Sequence, residues 1–119
     1  MLQTLTTPRG ETLSGTPWQV YPRPQMRRDS YINLNGEWDF AVSSGNPETF
    51  DMRILVPFCP QSQLSGVNYK DFLYGVWYRR TVDLTKEQLS GRVVLHFGAV
   101  DYETHVWVNG EKVGEHRGG

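Results

Sequence analysis

The stretch that decides the fold class is VWVNGEKV, residues 106–113. Apolar and polar residues alternate on both sides of its centre, which is the period of a β-strand with one buried face. Asn109 and Gly110 stand at that centre, and this dipeptide tolerates the positive φ angles that a type I′ turn requires. The stretch therefore predicts a tight β-hairpin, and with it an antiparallel sheet.

Outward from this hairpin, short runs rich in Val, Tyr, Trp, Phe and Thr are separated by Gly, Pro, Asn and Ser. Such runs are typical of strands joined by turns. Residues 85–89 alone have helical character, over one turn, with Gly91 positioned to end it. The runs predict an all-β fold whose strands are residues 36–42, 52–56, 76–84, 92–97, 102–108 and 111–116.

The first thirty residues differ from the rest, because they are rich in Thr, Pro, Gly and Arg and show no regular periodicity. The run Tyr21-Pro22-Arg23-Pro24 disfavours helix, since each proline pushes the preceding residue toward extended geometry. We expect an extended lead-in over residues 1–30 and one domain over residues 31–119. The N-terminus lacks the basic and apolar runs of a signal peptide, so the expected location is the cytoplasm.

Charge and cysteine content exclude several classes of partner. Twelve basic and thirteen acidic residues give a formal net charge of −1. This balance offers no electrostatic surface for nucleic acid or an anionic membrane, and we expect neither as a partner. The single cysteine, Cys59, cannot form an intramolecular disulfide and fits a reducing compartment.

No residue pattern nominates a catalytic group, a metal site or a cofactor site. Glycoside hydrolysis needs two carboxyl groups held across the scissile bond. The acidic residues that lie close in sequence are expected to be ordinary surface charges: Glu37 with Asp39, Asp101 with Glu103, and Glu111 with Glu115. The spacing of the three histidines matches no ligand motif; they are His96, His105 and His116. Cys59 is expected to be a buried, inert thiol.

The placement of the aromatic residues suggests a binding segment. Core packing is expected for those inside predicted strands, namely Trp38, Trp77 and Trp107. Tyr69, Phe72 and Tyr74 instead lie in a long irregular segment, residues 61–75. Loops on a rigid scaffold often carry ligand contacts, and aromatic faces stack on sugar rings. This segment is therefore the candidate binding region.

Several blocks, in order along the chain, resemble the N-terminal sugar-binding domain of glycoside hydrolase family 2, which includes β-glucuronidases and β-galactosidases. They are LNGEWDF at 34–40, VPFCPQS at 56–62, VWYRRT at 76–81, LHFGAVDY at 95–102, VWVNG at 106–110 and VGEHRGG at 113–119. The resemblance implies a jelly-roll, galactose-binding-like β-sandwich, and we expect this chain to end inside that domain, leaving the jelly roll incomplete at its C-terminus.

The resemblance also implies a modular glycosidase, in which an immunoglobulin-like sandwich and a (β/α)₈ barrel with two catalytic glutamates follow the jelly roll. A loop of the jelly roll reaches the substrate pocket in some members. The corresponding segment here contains Tyr69, Asp71 and Phe72, so these are the expected substrate-binding residues. Asp71 would accept hydrogen bonds from sugar hydroxyls while the aromatic rings stack.

The leading interpretation is a non-catalytic part of a glycosidase that scaffolds the barrel and touches the carbohydrate substrate. An independent carbohydrate-binding module and a structural or oligomerisation domain without a ligand are the alternatives. An incomplete jelly roll leaves sheet edges uncovered, so we also expect self-association, with residues 111–116 as one docking edge.

Arg80 shares the face of its predicted strand with Val76 and Tyr78, because alternate residues of a strand point the same way. A charge on an apolar face needs a partner. We expect an ion pair between Arg80 and an acidic residue of a neighbouring strand, with Asp101 or Glu103 as the partner.

Overall fold

A computed structural model describes residues 5–17, 19–20 and 23–119. The chain forms two compact units, Met1–Thr81 and Val82–Gly119. The regular elements of the described residues are mostly antiparallel strands, which confirms the all-β class. None of the helices in these residues is long and apolar enough to cross a membrane.

The first unit opens with a short helix, α1, at Pro8–Thr12, where an extended path was expected. Thr7 caps this helix by accepting a hydrogen bond from the backbone N–H of Gly10 at 3.0 Å. Pro8 suits the first turn, because the first N–H groups of a helix have no acceptor within the helix and proline lacks this group. A single 3₁₀ turn follows at Pro24–Met26. The Tyr21-Pro22 step of the proline-rich run lies outside the described residues.

The core of the first unit is one face of a three-stranded antiparallel sheet. Its strands are β1 at Gly36–Val42, β2 at Met52–Val56 and β3 at Val76–Arg79, in the order β2-β1-β3. Phe40 on β1 lies opposite Tyr78 on β3, and their rings meet edge to face with centroids 5.1 Å apart. Phe40 and Ile54 are 0% and 1% exposed, so this face excludes water.

The opposite face of the same sheet is charged. Asp39 on β1 lies opposite Arg53 on β2 and Arg79 on β3. Its carboxylate is 3.0 Å from Arg79 Nη2 and 3.5 Å from Arg53 Nε, and Arg53 Nη1 is also 3.6 Å from Glu37. Exposed ion pairs contribute little to stability. Opposite charges face each other between β1 and β2 and between β1 and β3. The main effect of these ion pairs is therefore to favour this strand register.

β3 ends at Arg79, five residues earlier than predicted, and the expected ion pair of Arg80 is wrong. Arg80 is exposed, and its Nη1 donates hydrogen bonds to the carbonyl oxygens of Leu34 at 2.6 Å and Asn35 at 3.3 Å. Its guanidinium also lies 5.9 Å from the ring centroid of Trp38. Backbone carbonyls and an aromatic face therefore take the place of the acidic partner.

The second unit begins with the predicted helical turn, α2, at Lys86–Leu89. The Gln88 N–H donates to Thr85 Oγ1 at 3.2 Å, and the Thr85 N–H donates to Gln88 Oε1 at 2.8 Å, which is a capping box. Ser90, in right-handed helical geometry, forms the C-cap instead of Gly91. Residues 92–97 are not a strand, because they pair with no other strand among the described residues.

The predicted hairpin is confirmed. It consists of β4 at Glu103–Val108 and β5 at Glu111–Arg117. Asn109 and Gly110 have φ angles of 51° and 81°, as a type I′ turn requires. Val106 pairs with Gly114 and Trp107 pairs with Lys112, so Val113 has no opposite residue and forms a β-bulge.

The turn makes Gly110 sensitive to substitution. Gly110→Val is expected to lower the free energy of unfolding by about 1 kcal/mol or more, because a β-branched side chain is strained at positive φ. Urea denaturation followed by tryptophan fluorescence measures the change. Asn109→Gly is the matched control, since glycine also accepts this geometry. Equal stability of the two variants would contradict the assignment of the turn.

Candidate functional site

The candidate binding region belongs to an irregular connection between β2 and β3, residues 57–75, which we call the connecting segment. A 3₁₀ turn at Gln63–Ser65 is its only helical part. Ser62 caps this turn, because its Oγ accepts a hydrogen bond from the Ser65 N–H at 3.2 Å and donates one to the Cys59 carbonyl at 2.8 Å. The segment thus has local order although no strand or long helix forms there.

Ser65 is the centre of this local order. It is buried, and its Oγ donates to the Ser62 carbonyl at 2.7 Å while accepting from the Val67 N–H at 3.1 Å. One hydroxyl therefore satisfies a carbonyl before the turn and an amide after it, which an apolar residue cannot do. Sequence reasoning missed Ser65, because an SxxS spacing in a loop is common and only burial shows its role.

Ser65→Ala is expected to lower the free energy of unfolding by about 1–2 kcal/mol, because the part-buried Val67 amide and Ser62 carbonyl lose the Ser65 hydroxyl as their partner. Urea denaturation measures this loss, and amide hydrogen exchange at Val67 should accelerate. Ser44→Ala, at an exposed serine, is the control and should change stability little. An unchanged exchange rate at Val67 would show that the hydroxyl does not order the segment.

Two further hydrogen bonds close the base of the connecting segment. The Tyr69 N–H donates to the Pro60 carbonyl at 2.8 Å, and Lys70 Nζ donates to the Gln61 carbonyl at 2.7 Å. Asn68, just before them, turns the chain with a φ of 51°. Asparagine tolerates this left-handed geometry better than most residues. Residues 60–70 therefore form a closed loop, and residues 71–74 extend from it.

The structure places the three predicted site residues differently. Tyr69 is half-buried, and its backbone helps to close the loop. Asp71 and Phe72 are exposed. Asp71 has neither an ion pair nor a hydrogen bond to any residue that the structure describes. The segment thus brings Asp71 and Phe72 together on the surface, whereas Tyr69 contributes mainly to the base.

Tyr74 joins Phe72 in an exposed aromatic pair. The two side chains are 80% and 74% exposed, and their rings meet at 5.0 Å between centroids with an interplanar angle of 80°. We call Phe72 and Tyr74 the aromatic corner. The two-residue spacing of these rings within an irregular segment was the available sequence signal, and it did not place Tyr74 among the predicted site residues.

Cys59, at the start of the connecting segment, is exposed, so the expectation of a buried thiol is wrong. The reason is its place in a turn, where the Cys59 carbonyl accepts hydrogen bonds from the Ser62 amide and hydroxyl. Burial raises the pKa of the Tyr78 hydroxyl, and the nearby Cys59 raises that pKa further.

Two acidic residues of the hairpin, Glu103 and Glu115, form ion pairs. Glu103 is 2.9 Å from Arg117 Nη2 and 3.1 Å from His105 Nε2, and Glu115 is 2.6 Å from Lys112 Nζ. The hydrogen bond from His105 and then the one from Arg117 lower the pKa of Glu103, while the hydrogen bond from Lys112 lowers the pKa of Glu115. Across residues 5–17, 19–20 and 23–119, no three His, Cys, Asp or Glu side chains converge as metal ligands would.

Two open depressions lie on the surface of the described residues. One of about 350 Å³ lies between the charged face of the first sheet and the connecting segment, and its lining includes Arg53, Leu64 and Gly66. The other, of about 210 Å³, lies in the second unit beside Thr104, whose buried Oγ1 has no hydrogen-bond partner among the described residues. Of the acidic side chains that the structure describes, Glu37 lines the first depression and none lines the second.

The comparisons with known proteins agree on one family. Residues 62–119 match the family model of the glycosyl hydrolases family 2 sugar binding domain. A beta-glucuronidase of Streptococcus agalactiae is 28% identical over 103 residues, which cover 84% of this chain and 17% of that protein. A beta-glucuronidase of Felis catus is 32% identical over 119 residues, covering 84% of this chain and 18% of its own length.

A beta-galactosidase of Thermoanaerobacter pseudethanolicus is 38% identical over 87 residues, covering 73% of this chain and 11% of the relative. The chain thus spans less than one fifth of the length of these relatives. The family model includes the connecting segment from Ser62 onward and the whole hairpin. The chain therefore belongs to glycosyl hydrolase family 2 and carries the N-terminal sugar-binding domain of that family.

Proposed function

We propose that the chain is the non-catalytic, jelly-roll part of a glycosidase that hydrolyses β-glucuronides, β-galactosides or related sugars. Its role is to pack against the catalytic barrel and to touch the substrate from the connecting segment. The match of residues 62–119 to a sugar-binding domain carries this proposal. The names of the relatives supply the substrate class, since the chain aligns with beta-glucuronidases and a beta-galactosidase.

Packing against further protein is supported by the apolar surface of both units. The buried hydrophobic residues among those described are few: Phe40, Ala41 and Ile54. Large apolar side chains remain about half exposed in the second unit, and exposed apolar area of this extent is typical of a surface that contacts other protein. They include Val93, Val94, Leu95, Phe97, Trp107 and Val113.

Substrate contact is assigned to the segment that contains Tyr69, Asp71 and Phe72. Asp71 supports the assignment because its carboxylate is exposed and free to accept hydrogen bonds from sugar hydroxyls. Phe72 offers an exposed ring for stacking. Tyr69 acts through its backbone, which holds the base of the loop closed.

The chemistry is assigned to the barrel. A retaining glycosidase needs an acid and a nucleophile about 5 Å apart. The closest acidic pair in the first sheet, Glu37 and Asp39, is bound to Arg53. Both carboxylates are therefore engaged in ion pairs and are not free to act on a glycosidic bond. A cytoplasmic location fits the single cysteine and remains part of the proposal.

The genomic sequence downstream of the codon for Gly119 tests this parentage. An in-frame (β/α)₈ barrel with two glutamates is expected there. A stop codon followed by an unrelated gene would favour an independent carbohydrate-binding module. The purified chain should also show no turnover of aryl β-glucuronides or aryl β-galactosides, and activity that co-elutes with the pure chain would overturn the assignment of the chemistry to the barrel.

A further inference from the structure

The aromatic corner has the geometry of a ring-binding surface. Phe72 and Tyr74 are 74% and 80% exposed, yet their rings keep a defined edge-to-face contact at 5.0 Å. Both rings therefore present apolar area to solvent at a nearly perpendicular angle. A ring-shaped ligand can contact one ring with its face and the other with its edge.

The base under this corner is ordered. Hydrogen bonds from the Tyr69 amide and Lys70 Nζ close the loop just before residue 71. Just after residue 74, the Gly75 carbonyl accepts a hydrogen bond at 3.0 Å from the N–H of Ser43, the residue that follows β1. The exposed span between these anchors is only residues 71–74. A short span between two fixed points loses little conformational freedom when a ligand binds.

The charge beside the corner restricts the class of ligand. Asp71 precedes Phe72 and has no ion-pair or hydrogen-bond partner within the described ranges, while the ammonium group of Lys70 is bound to the Gln61 carbonyl. An apolar protein surface that covered the corner would bury this carboxylate unpaired, which is costly. A ligand with hydroxyl groups would satisfy it, whereas a ligand carboxylate placed against Asp71 would be repelled.

We propose that Asp71 and the aromatic corner form a subsite for a neutral pyranose ring, with Tyr74 as a binding residue beside Phe72. The inference rests on the proposed function and narrows it. If the hydrolysed sugar is an acid such as a glucuronate, this subsite contacts a different, uncharged part of the substrate. Stacking of the pyranose on the rings and hydrogen bonds from its hydroxyls to Asp71 supply the contacts.

Titration of the 119-residue chain with methyl β-D-glucopyranoside and with methyl β-D-glucuronide, followed by amide NMR, tests the subsite. The neutral glycoside should shift the amide signals of residues 71–75 and bind more tightly than the acidic one. Phe72→Ala and Tyr74→Ala should each weaken binding of the neutral glycoside about tenfold. Asp71→Asn should narrow the preference for the neutral ligand, which a purely structural role would not do.

Tyr102→Ala is the matched control, because Tyr102 is also an exposed tyrosine but belongs to the second unit. It should bind as the parent chain does. An unperturbed amide spectrum outside residues 71–75 verifies the fold of each variant. The proposal is overturned if neither glycoside shifts these signals, if the glucuronide binds more tightly, or if the aromatic substitutions lower stability without changing affinity. The downstream-sequence test of parentage is independent of all three results.

Discussion

Phe40→Ala is expected to lower the free energy of unfolding of the first unit by about 3–5 kcal/mol. Phe40 is fully buried in the central strand β1 and contacts the ring of Tyr78. Removal of its ring deletes the largest fully buried side chain of the described residues and leaves a cavity that a three-stranded sheet cannot easily fill. Since a domain is stable by only about 5–15 kcal/mol, a large fraction of the unit should unfold.

Urea denaturation followed by circular dichroism and by the fluorescence of Trp38 and Trp77 measures this effect. Phe72→Ala removes the same atoms from an exposed position and serves as the control, with an expected change within about 0.5 kcal/mol. A loss below about 1 kcal/mol for Phe40→Ala would show that the Phe40 face of the sheet is not the principal core.

Gly75→Ala is expected to lower the free energy of unfolding by about 3 kcal/mol, the upper range for overpacking. An added Cβ at Gly75 would lie 2.6 Å from the carbonyl oxygen of Ser43. That oxygen belongs to the backbone and cannot rotate away, so β1 and β3 would have to separate where the Ser43 N–H binds the Gly75 carbonyl. The same change would loosen the aromatic corner, because Tyr74 is the preceding residue.

Gly45→Ala is the matched control, since a Cβ at Gly45 would meet no atom within 4 Å. Its expected effect is within about 0.5 kcal/mol. Chemical denaturation compares the two variants, and hydrogen exchange of the Ser43 amide reports the contact directly. Equal stabilities of the two variants, with slow exchange at Ser43 in both, would show that the strands accommodate the methyl group.

Local signals predicted several of the elements whose causes are local. β1 and β2 have the predicted bounds because both runs end at turn-forming residues, and the hairpin formed because Asn109 and Gly110 accept positive φ. The helical turn formed where Thr85 and Gln88 cap each other. Each of these features depends on residues at most a few positions apart.

Features that depend on distant partners were not predictable in the same way. The run at residues 92–97 has strand composition, but a strand exists only where another strand pairs with it, and no described strand does so. β3 stopped at Arg79 because the next side chain binds carbonyls more than forty positions earlier in the chain. Composition contains no information on such pairings.

The candidate site also combines a feature that the sequence predicts with features that it does not. The irregular segment followed from the sequence, because the polar and aromatic residues there lack strand periodicity. The internal order of the segment did not, because it depends on the burial of one serine and on backbone hydrogen bonds that close the loop. The contact of Asp71 and Phe72 with substrate stays a prediction.

The bulge at Val113 affects how copies of this chain could aggregate. A fibril grows when an exposed strand offers evenly spaced backbone donors and acceptors to the next molecule. The extra residue in β5 breaks that spacing in the middle of the strand, so an incoming strand could follow only one half of its edge before losing register. Deletion of Val113 should therefore convert a self-limiting edge into a continuous template for fibril growth.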